Sequence, residues 1–106
     1  MKQKLFLVVR ADLSPGQQAV QAAHALREWT ETYEALDAAW YASSNTLALL
    51  SVPDEEGLRS LIMKAWKEGH AVATFSEPDL DGKMTAIAIE PAGWRVCKGL
   101  PLALGG

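Results

Sequence analysis

Apolar and polar positions divide this chain into alternating strand-like and helix-like segments. Leu5–Val9 is a short apolar run with β-branched residues and with charge on both sides, which is typical of a strand covered on both faces. The patterning predicts strands at about 4–10, 46–52, 71–75 and 84–90, and helices at about 15–39 and 54–68. This β-α-β-α-β-β order predicts an α/β protein.

The segment 54–68 is the clearest amphipathic helix. Its apolar residues recur at i, i+3, i+4, i+7 and i+8, namely Leu58, Leu61, Ile62, Ala65 and Trp66. Acidic residues from Asp54 onward suit the positive end of a helix dipole, and Gly69 suits a helix stop. We therefore expect Trp66 to lie in the core.

The connections predict how the strands pair. Strands separated by helices pair in parallel through right-handed crossovers, whereas the segment 76–83 is too short for a crossover and predicts an antiparallel pair. The chain is therefore expected to form one domain over 1–106, a four-stranded mixed β-sheet covered by helices. Trp29, Trp40 and Trp94 fit either the core or a dimer surface.

The junction between the first strand and the first helix carries polar residues. Arg10 and Asp12 lie where the strand ends, Ser14 is a suitable N-cap, Pro15 fits the first helical position, and Gln17 completes a capping-box pattern. A strand that leads into a capped helix start is a common place for α/β proteins to bind polar or anionic ligands.

A polar stripe continues along the first helix. Four residues with i, i+4, i+7 and i+11 spacing share one face: Gln17, Gln21, His24 and Glu28. One histidine and two glutamines on a helix most often form a solvated face. Their place beside Arg10 and Asp12, at a strand end, favours a binding or catalytic site instead.

The motifs VVRADL and QAAHA resemble the N-terminal signature of the type 2 peptidyl-tRNA hydrolase family. That family has a strand ending in Arg-x-Asp-Leu and a helix with Ala-Ala-Gln-x-x-His-Ala; the matching residues here are Arg10, Asp12, Leu13, Gln21, His24 and Ala25. SVPDEEGLRSLIMKAWKEG at 51–69 is similar to the family's second-helix segment, and TAIAIEP at 85–91 to its last strand. The resemblance implies a mixed four-stranded sheet, often dimeric, and hydrolysis of the ester between a peptide and tRNA.

The resemblance carries over to the catalytic pattern only in part. The Thr that opens the family's last strand matches Thr85, while its loop Asp matches either Glu77 or Asp79, because the loop here is shorter. The family's Lys has no counterpart, and Gln17 is the nearest residue; a second Thr is also missing. The fold is therefore predicted more strongly than the activity.

Direct attack by water is the natural chemistry, since no Ser or Cys nucleophile beside a base is suggested. A carboxylate of the loop 76–83 would orient the water, or a His24 or glutamine side chain, and a further group would accept the proton of the water. The candidate donors to the oxyanion are the Gln17 and Gln21 amides, the Thr85 hydroxyl and backbone N–H groups at the helix start. The candidate catalytic residues are His24, Asp79, Thr85, Gln17 and Glu77. The candidate substrate-binding residues are Arg10, Asp12, Gln21 and Lys83. Without such a role, the loop 76–83 is a solvated hairpin that turns at Gly82.

Composition limits the possible ligands. The net charge is −3, so contacts with an RNA 3′ end must be local and cannot come from the overall charge. Cys97 is the only cysteine, which excludes an intrachain disulfide, and the spacing of the two histidines suggests no metal site. No cofactor is expected. No apolar run is long enough for a membrane span or a signal peptide, so we expect a cytoplasmic protein, and the resemblance adds a homodimer.

Three functions therefore stand as hypotheses. The first is a peptidyl-tRNA hydrolase-like enzyme, and the second is a non-catalytic module on the same fold that binds RNA, a nucleotide or a protein. The third is a structural dimer subunit that uses Trp29 or Trp40 at its interface. The terminal Gly105 and Gly106 are similar to ubiquitin-like tails, but two terminal glycines are more often a frayed chain end.

Overall fold

The computed structural model describes residues 3–105 as a four-stranded sheet with helices on both faces. The strands are β1 (Lys4–Arg10), β2 (Thr46–Val52), β3 (Val72–Glu77) and β4 (Lys83–Ile89). The helices are α1 (Pro15–Thr32), α2 (Glu34–Ser43), α3 (Glu55–Lys67) and α4 (Trp94–Cys97), with 3₁₀ turns at Pro78–Leu80 and Pro91–Gly93. The predicted α/β class and mixed four-stranded sheet are confirmed.

The strand order across the sheet is β2-β1-β4-β3. β1 and β2 are parallel, and β4 runs antiparallel to both β1 and β3, as the short connection between the last two strands predicts. Arg10, Val52 and Glu77 end their strands, and Lys83 begins β4, at the same end of the sheet. We call this end the carboxyl edge; it is where open α/β sheets usually bind ligands.

Each face of the sheet has its own hydrophobic core. Trp29 of α1 and Trp40 of α2 are buried in the core that these helices form with the sheet, which excludes them from a dimer surface. The core beneath α3 contains Leu58, Leu61 and other residues of the predicted stripe. Trp66 is 56% exposed, so its predicted core position is wrong. It lies at the margin of the stripe, and β3, the nearby edge strand, has no neighbouring strand that could cover it.

The helix predicted at 15–39 is two helices separated at Tyr33. Tyr33 has a φ of −122°, and its N–H donates to the Trp29 carbonyl at 2.9 Å. Its hydroxyl donates to the Val72 carbonyl of β3 at 3.1 Å. A contact with the sheet therefore accompanies the break, and no local glycine or proline signal predicted it.

The segment after α4 returns along the outer side of β2. The Ala103 N–H donates to the Leu49 carbonyl at 3.0 Å, and the Leu104 N–H donates to the Gln18 side chain at 3.3 Å. Ala103 is buried. The chain is therefore tied to the fold as far as Leu104, whereas Met1, Lys2 and Gly106 of the predicted domain, and with them part of the di-glycine hypothesis, lie outside the described residues.

Candidate functional site

A β-bulge turns Thr85 towards α1. The pairing of β3 with β4 steps from Phe75–Ala86 to Ser76–Met84, so Thr85 is an extra residue without a partner on β3. Regular alternation along β4 would direct Thr85 to the α3 face of the sheet. Bulges reorient side chains in this way and are frequent beside functional sites. The hydroxyl of Thr85 therefore joins the α1 face at the carboxyl edge.

Four polar side chains from α1, β3 and β4 form one hydrogen-bonded group, which we call the glutamine cluster: Gln17, Gln21, Glu77 and Thr85. The Thr85 hydroxyl donates to Gln21 Oε1 at 2.6 Å. Gln21 Nε2 donates to Glu77 Oε1 at 3.0 Å and to Gln17 Oε1 at 3.2 Å. Gln21 and Thr85 are fully buried, whereas Gln17 is exposed. The cluster therefore leads from the interior to the surface.

Glu77 determines the direction of these hydrogen bonds. An ionised carboxylate only accepts, so Gln21 must present its amide nitrogen to Glu77 and its oxygen to Thr85. The Thr85 hydroxyl must then donate, which leaves its oxygen lone pairs free to accept a hydrogen bond. Because Gln17 accepts through Oε1, its own Nε2 remains a donor at the surface. One carboxylate thus orients three other side chains.

The remaining candidates on this face lie around the cluster. The His24 ring is exposed and stacks on Phe75, with ring centroids 4.3 Å apart, and it makes no side-chain hydrogen bond within residues 3–105. Asp79 is exposed in the 3₁₀ turn after β3, away from these hydrogen bonds. Lys83 is the register partner of Glu77 and is also exposed. Of the two carboxylates that the sequence left open, Glu77 is the one that contacts Gln21.

Arg10 and Asp12 lie on the other side of the carboxyl edge. Arg10 Nε and Nη2 donate to the two oxygens of Asp12, each at 2.9 Å. These hydrogen bonds are the main reason that the pKa of Asp12 lies below its ordinary value. Arg10 Nη1 also donates to the Met84 carbonyl at 3.2 Å. Arg10 and Asp12 are therefore brought together with β4, next to Thr85 in the chain.

Glu55 completes this arrangement, and the sequence did not single it out beyond its place at a helix start. Its Oε2 accepts the Met84 N–H at 2.8 Å, and this hydrogen bond is the main reason that the pKa of Glu55 is lowered. We call Arg10, Asp12, Glu55 and Met84 the Met84 clamp. The clamp holds both backbone polar groups of Met84 where β4 extends past its pairing with β1.

The start of α1 is fixed by two further contacts. Ser14 Oγ accepts the Gln17 N–H at 3.3 Å, which confirms the predicted N-cap. Gln18 was missed by the sequence analysis: its Nε2 donates to the Leu13 carbonyl at 2.7 Å, and its Oε1 accepts the Leu104 N–H. A buried glutamine next to an exposed one has no distinctive sequence signal. Gln18 ties the loop before α1 to the end of the described chain.

Several other chemistries find no support in residues 3–105. No three His, Cys, Asp or Glu side chains in this range are grouped so that they could hold a metal ion. Burial raises the pKa of Cys97 to about 12, so its thiol stays protonated at neutral pH and is a poor nucleophile. Among the described helices, none combines the length and apolar character needed to cross a membrane.

The protein is an α/β protein with a mixed four-stranded sheet, and the glutamine cluster forms a polar site at the carboxyl edge of that sheet. The family model described as Peptidyl-tRNA hydrolase PTH2 matches residues 3–100. The chain therefore belongs to the peptidyl-tRNA hydrolase PTH2 family, as the sequence resemblance predicted.

The comparison with solved structures supports the fold. A protein of unknown function from Agrobacterium tumefaciens superposes with a TM-score of 0.69 at 14% sequence identity, covering 96% of this chain and 98% of that one. At this identity the likeness shows a shared fold alone. No curated protein matches the chain significantly.

Proposed function

We propose that this protein hydrolyses the ester that joins a peptide, or an N-blocked amino acid, to the 3′ end of tRNA. Family membership supports peptidyl-tRNA hydrolase-like function. The observation that carries the proposal is the buried Thr85 hydroxyl, which the bulge turns to Gln21 and which Gln21 orients under the influence of Glu77. Such a preoriented group at a carboxyl edge suits hydrolysis by a positioned water.

The proposed reaction begins with a water that donates a hydrogen bond to the carboxylate of Glu77, the half-buried member of the cluster. Gln21 and the fully buried Thr85 hydroxyl hold that carboxylate in place. The water oxygen attacks the ester carbonyl carbon, and its proton passes to the carboxylate of Glu77. When the tetrahedral intermediate collapses, the bond to the ribose 3′ oxygen breaks, and that oxygen takes the proton from Glu77. The products are a free peptide acid and a tRNA 3′ hydroxyl. Gln21 acts as a positioning residue that holds Thr85 and Glu77.

Gln17 and Lys83 are the proposed donors to the oxyanion. Gln17 Nε2 is left free by the bond that its Oε1 accepts from Gln21. A neutral amide gives a hydrogen bond about half as strong as a charge-assisted one, so Gln17 alone is a weaker donor than the lysine of the family pattern. Lys83, opposite Glu77 in the β3–β4 register, can add a positive charge at the same edge.

Substrate contacts are proposed for the residues around the cluster. The exposed His24 ring stacks on the half-buried Phe75 ring, one helical turn from Gln21. Arg10 with Asp12 supports the backbone next to Thr85. Asp79 remains an alternative carboxylate, and its exposure places it nearer solvent than Glu77. We also propose a cytoplasmic homodimer that acts without a cofactor, since the chemistry needs only water and the side chains named above.

The direct test is hydrolysis of N-acetyl-aminoacyl-tRNA by the purified full chain. Release of the N-acetyl amino acid should be proportional to enzyme concentration and faster than in buffer. Circular dichroism should confirm that the sample is folded. A folded protein that releases no more product than buffer would refute the hydrolase function.

A non-catalytic module is the second candidate, favoured by the neutral Gln17 where the family pattern has a lysine. This function predicts binding of deacylated and N-acetyl-aminoacyl-tRNA with equal affinity and no turnover. Filter binding, run beside the hydrolysis assay, separates the two candidates. Binding without product release supports the module, whereas turnover supports the enzyme.

A further inference from the structure

An apolar groove lies between α3 and the start of the β3–β4 pair, on the sheet face opposite the glutamine cluster. It extends from Met84, near the carboxyl edge, towards Trp66 in the last turn of α3. The groove has a volume of about 380 Å³ and is lined by Arg59, Ile62, Met63, Trp66, Thr74 and Met84. Met63 is 64% exposed and Trp66 is 56% exposed. Met63 and Trp66 are three residues apart on α3, so their exposed apolar surfaces are neighbours on one helix face, and Arg59 lines the same groove.

The groove is connected to the proposed catalytic group through Met84. The Met84 side chain packs on the α3 face, while the bulge turns its neighbour Thr85 to the α1 face. Arg10 and Glu55 hold the Met84 backbone on the α3 side. Adjacent Cα atoms lie about 3.8 Å apart. A ligand that bends around the carboxyl edge can therefore contact the groove and the glutamine cluster together.

We propose that this groove binds a nucleobase at the 3′ end of the tRNA by stacking on Trp66. The inference rests on the proposed function and names a binding site for its substrate. An exposed indole accepts any base face, and the Arg59 cation in the groove can contact the neighbouring phosphate. Because the net charge is −3, RNA affinity must come from such local contacts.

A nucleobase fits the groove better than the peptide does. The peptide side chains differ from one peptidyl-tRNA to the next, whereas the 3′ end is chemically constant. A single preformed groove with one aromatic ring and one cation suits the constant part of the substrate. Arg59 is only loosely held by Glu55, at 3.4 Å, and is well exposed, so it is available to a phosphate.

The test measures binding of a short fluorescein-labelled RNA that ends in CCA, by fluorescence anisotropy with the full chain. Trp66→Ala should weaken binding by roughly 5- to 100-fold, the range for loss of one stacked base. Trp66→Phe should restore most of the affinity, because it keeps a stacking ring. Trp94→Ala is the matched control: Trp94 is also exposed but lies in α4, outside the groove, and its loss should leave binding unchanged.

Two further variants keep the inference falsifiable. Met63→Glu leaves the indole in place but adds a negative charge to the groove, and it should weaken RNA binding as Trp66→Ala does. Arg59→Gln should reduce the slope of log affinity against log salt by about one. Unchanged RNA affinity in both Trp66→Ala and Met63→Glu would overturn the inference, and is the result expected if the groove serves a protein partner.

The outcome is separable from that of the proposed hydrolysis. The anisotropy assay uses an RNA without an ester, so its result does not depend on catalysis by the glutamine cluster. Loss of RNA binding in Trp66→Ala, together with no hydrolysis by the unaltered chain, would support the groove and refute the enzyme. If the unaltered chain hydrolyses the substrate and Trp66→Ala binds the RNA with unchanged affinity, only the proposal that the groove binds a nucleobase is refuted.

Discussion

At the scale of single residues, Glu77 has the largest influence on the site. It is the one member of the glutamine cluster that carries a negative charge, and this charge fixes which way the Gln21 amide points. Through Gln21 it also fixes the proton of the fully buried Thr85 hydroxyl. The Glu77 carboxylate therefore has two consequences in the proposed reaction, orientation of the hydroxyl and acceptance of the proton.

Replacing Glu77 with glutamine should reduce ester hydrolysis at least about 100-fold, the usual scale for loss of a general base. The new amide can donate to Gln21, so the direction of the hydrogen bonds is no longer fixed. Initial rates with N-acetyl-aminoacyl-tRNA measure the effect. Asp79→Asn is the matched control, because Asp79 is an exposed carboxylate nearby, and its loss should change the rate little. The reverse order of effects would assign the proton acceptor to Asp79.

At the scale of secondary-structure elements, the site depends on how β4 begins. The bulge directs Thr85 to α1, and the Met84 clamp secures the preceding residue from the α3 side. The clamp joins the end of β1, the start of α3 and the start of β4. Each of these elements thus contributes to the position of one hydroxyl.

The Arg10–Asp12 pair should make stability depend on pH. Arg10 lowers the folded-state pKa of Asp12 below its ordinary 3.8, so the pair stabilises the fold fully above that pH. Its contribution disappears as the pH falls through the lower folded value. Since Asp12 is 42% exposed, the effect is at most about 1 kcal/mol. Urea unfolding of the unaltered chain and Asp12→Asn should differ most at pH 7, and the difference should shrink progressively as the pH falls below 3.8; a constant difference would contradict this.

Alanine substitutions at two glycines near helix starts, Gly57 in α3 and Gly16 in α1, test how closely the helices pack on their surroundings. A Cβ at Gly57 would lie 2.9 Å from the Val52 Cβ, so Gly57→Ala should destabilise the fold by about 1–3 kcal/mol through overpacking of α3 on β2. Gly16 has open space around it in the first turn of α1, and Gly16→Ala should stabilise by about 0.4–1 kcal/mol. Denaturant unfolding compares the two. Equal effects would contradict the close contact at Val52.

The sequence predicted the elements more fully than their contacts. Periodicity located the four strands and α3, and the short loop before β4 gave its antiparallel pairing. It could not reveal the helix break at Tyr33, where the notable contact is with Val72 of β3, far along the chain. It also missed the exposure of Trp66, because which strand lies at the sheet edge is a property of the whole topology.

The sequence predicted several residues of the site but not the hydrogen bonds between them. The stripe and the family resemblance selected Gln17, Gln21 and Thr85, which the structure brings into one hydrogen-bonded group. The bulge that makes this possible has no local signature, since it is defined by pairing with β3. Glu55 looked like an ordinary helix-start acid, and its contact with the Met84 N–H depends on tertiary structure.

At the scale of the whole molecule, the glutamine cluster and the Met84 clamp lie at the same end of a small acidic domain. The net charge of −3 gives little general attraction to RNA, so the proposed tRNA binding would depend on a few cations near the carboxyl edge. The glutamine cluster and the α3 groove lie on opposite faces of the sheet, so a ligand that contacts both must pass around the carboxyl edge.

Lys83 should contribute one ionic contact to this binding. Lys83→Gln is expected to lower the slope of log tRNA affinity against log salt by about one, because one fewer counterion is released. Filter binding over a series of salt concentrations measures it. Lys64→Gln is the matched control, an exposed lysine on α3 that does not line the groove. An unchanged slope for Lys83→Gln would remove this residue from the RNA contact.

The central claim is that the Thr85 hydroxyl supports ester hydrolysis by positioning Gln21 and, through it, Glu77. A pair of variants tests this claim most directly. Thr85→Val keeps the side-chain volume and removes the hydroxyl, whereas Thr85→Ser keeps the hydroxyl. The valine variant leaves Gln21 Oε1 without its donor, at a cost of about 1–3 kcal/mol, so thermal unfolding must first show that both variants are folded at the assay temperature.

The decisive measurement is the initial rate of N-acetyl-aminoacyl-tRNA hydrolysis by the unaltered chain and these two variants. The account predicts that Thr85→Val is slower by at least about 100-fold, while Thr85→Ser retains most of the rate. A folded Thr85→Val variant that hydrolyses the substrate as fast as the unaltered protein would contradict the account.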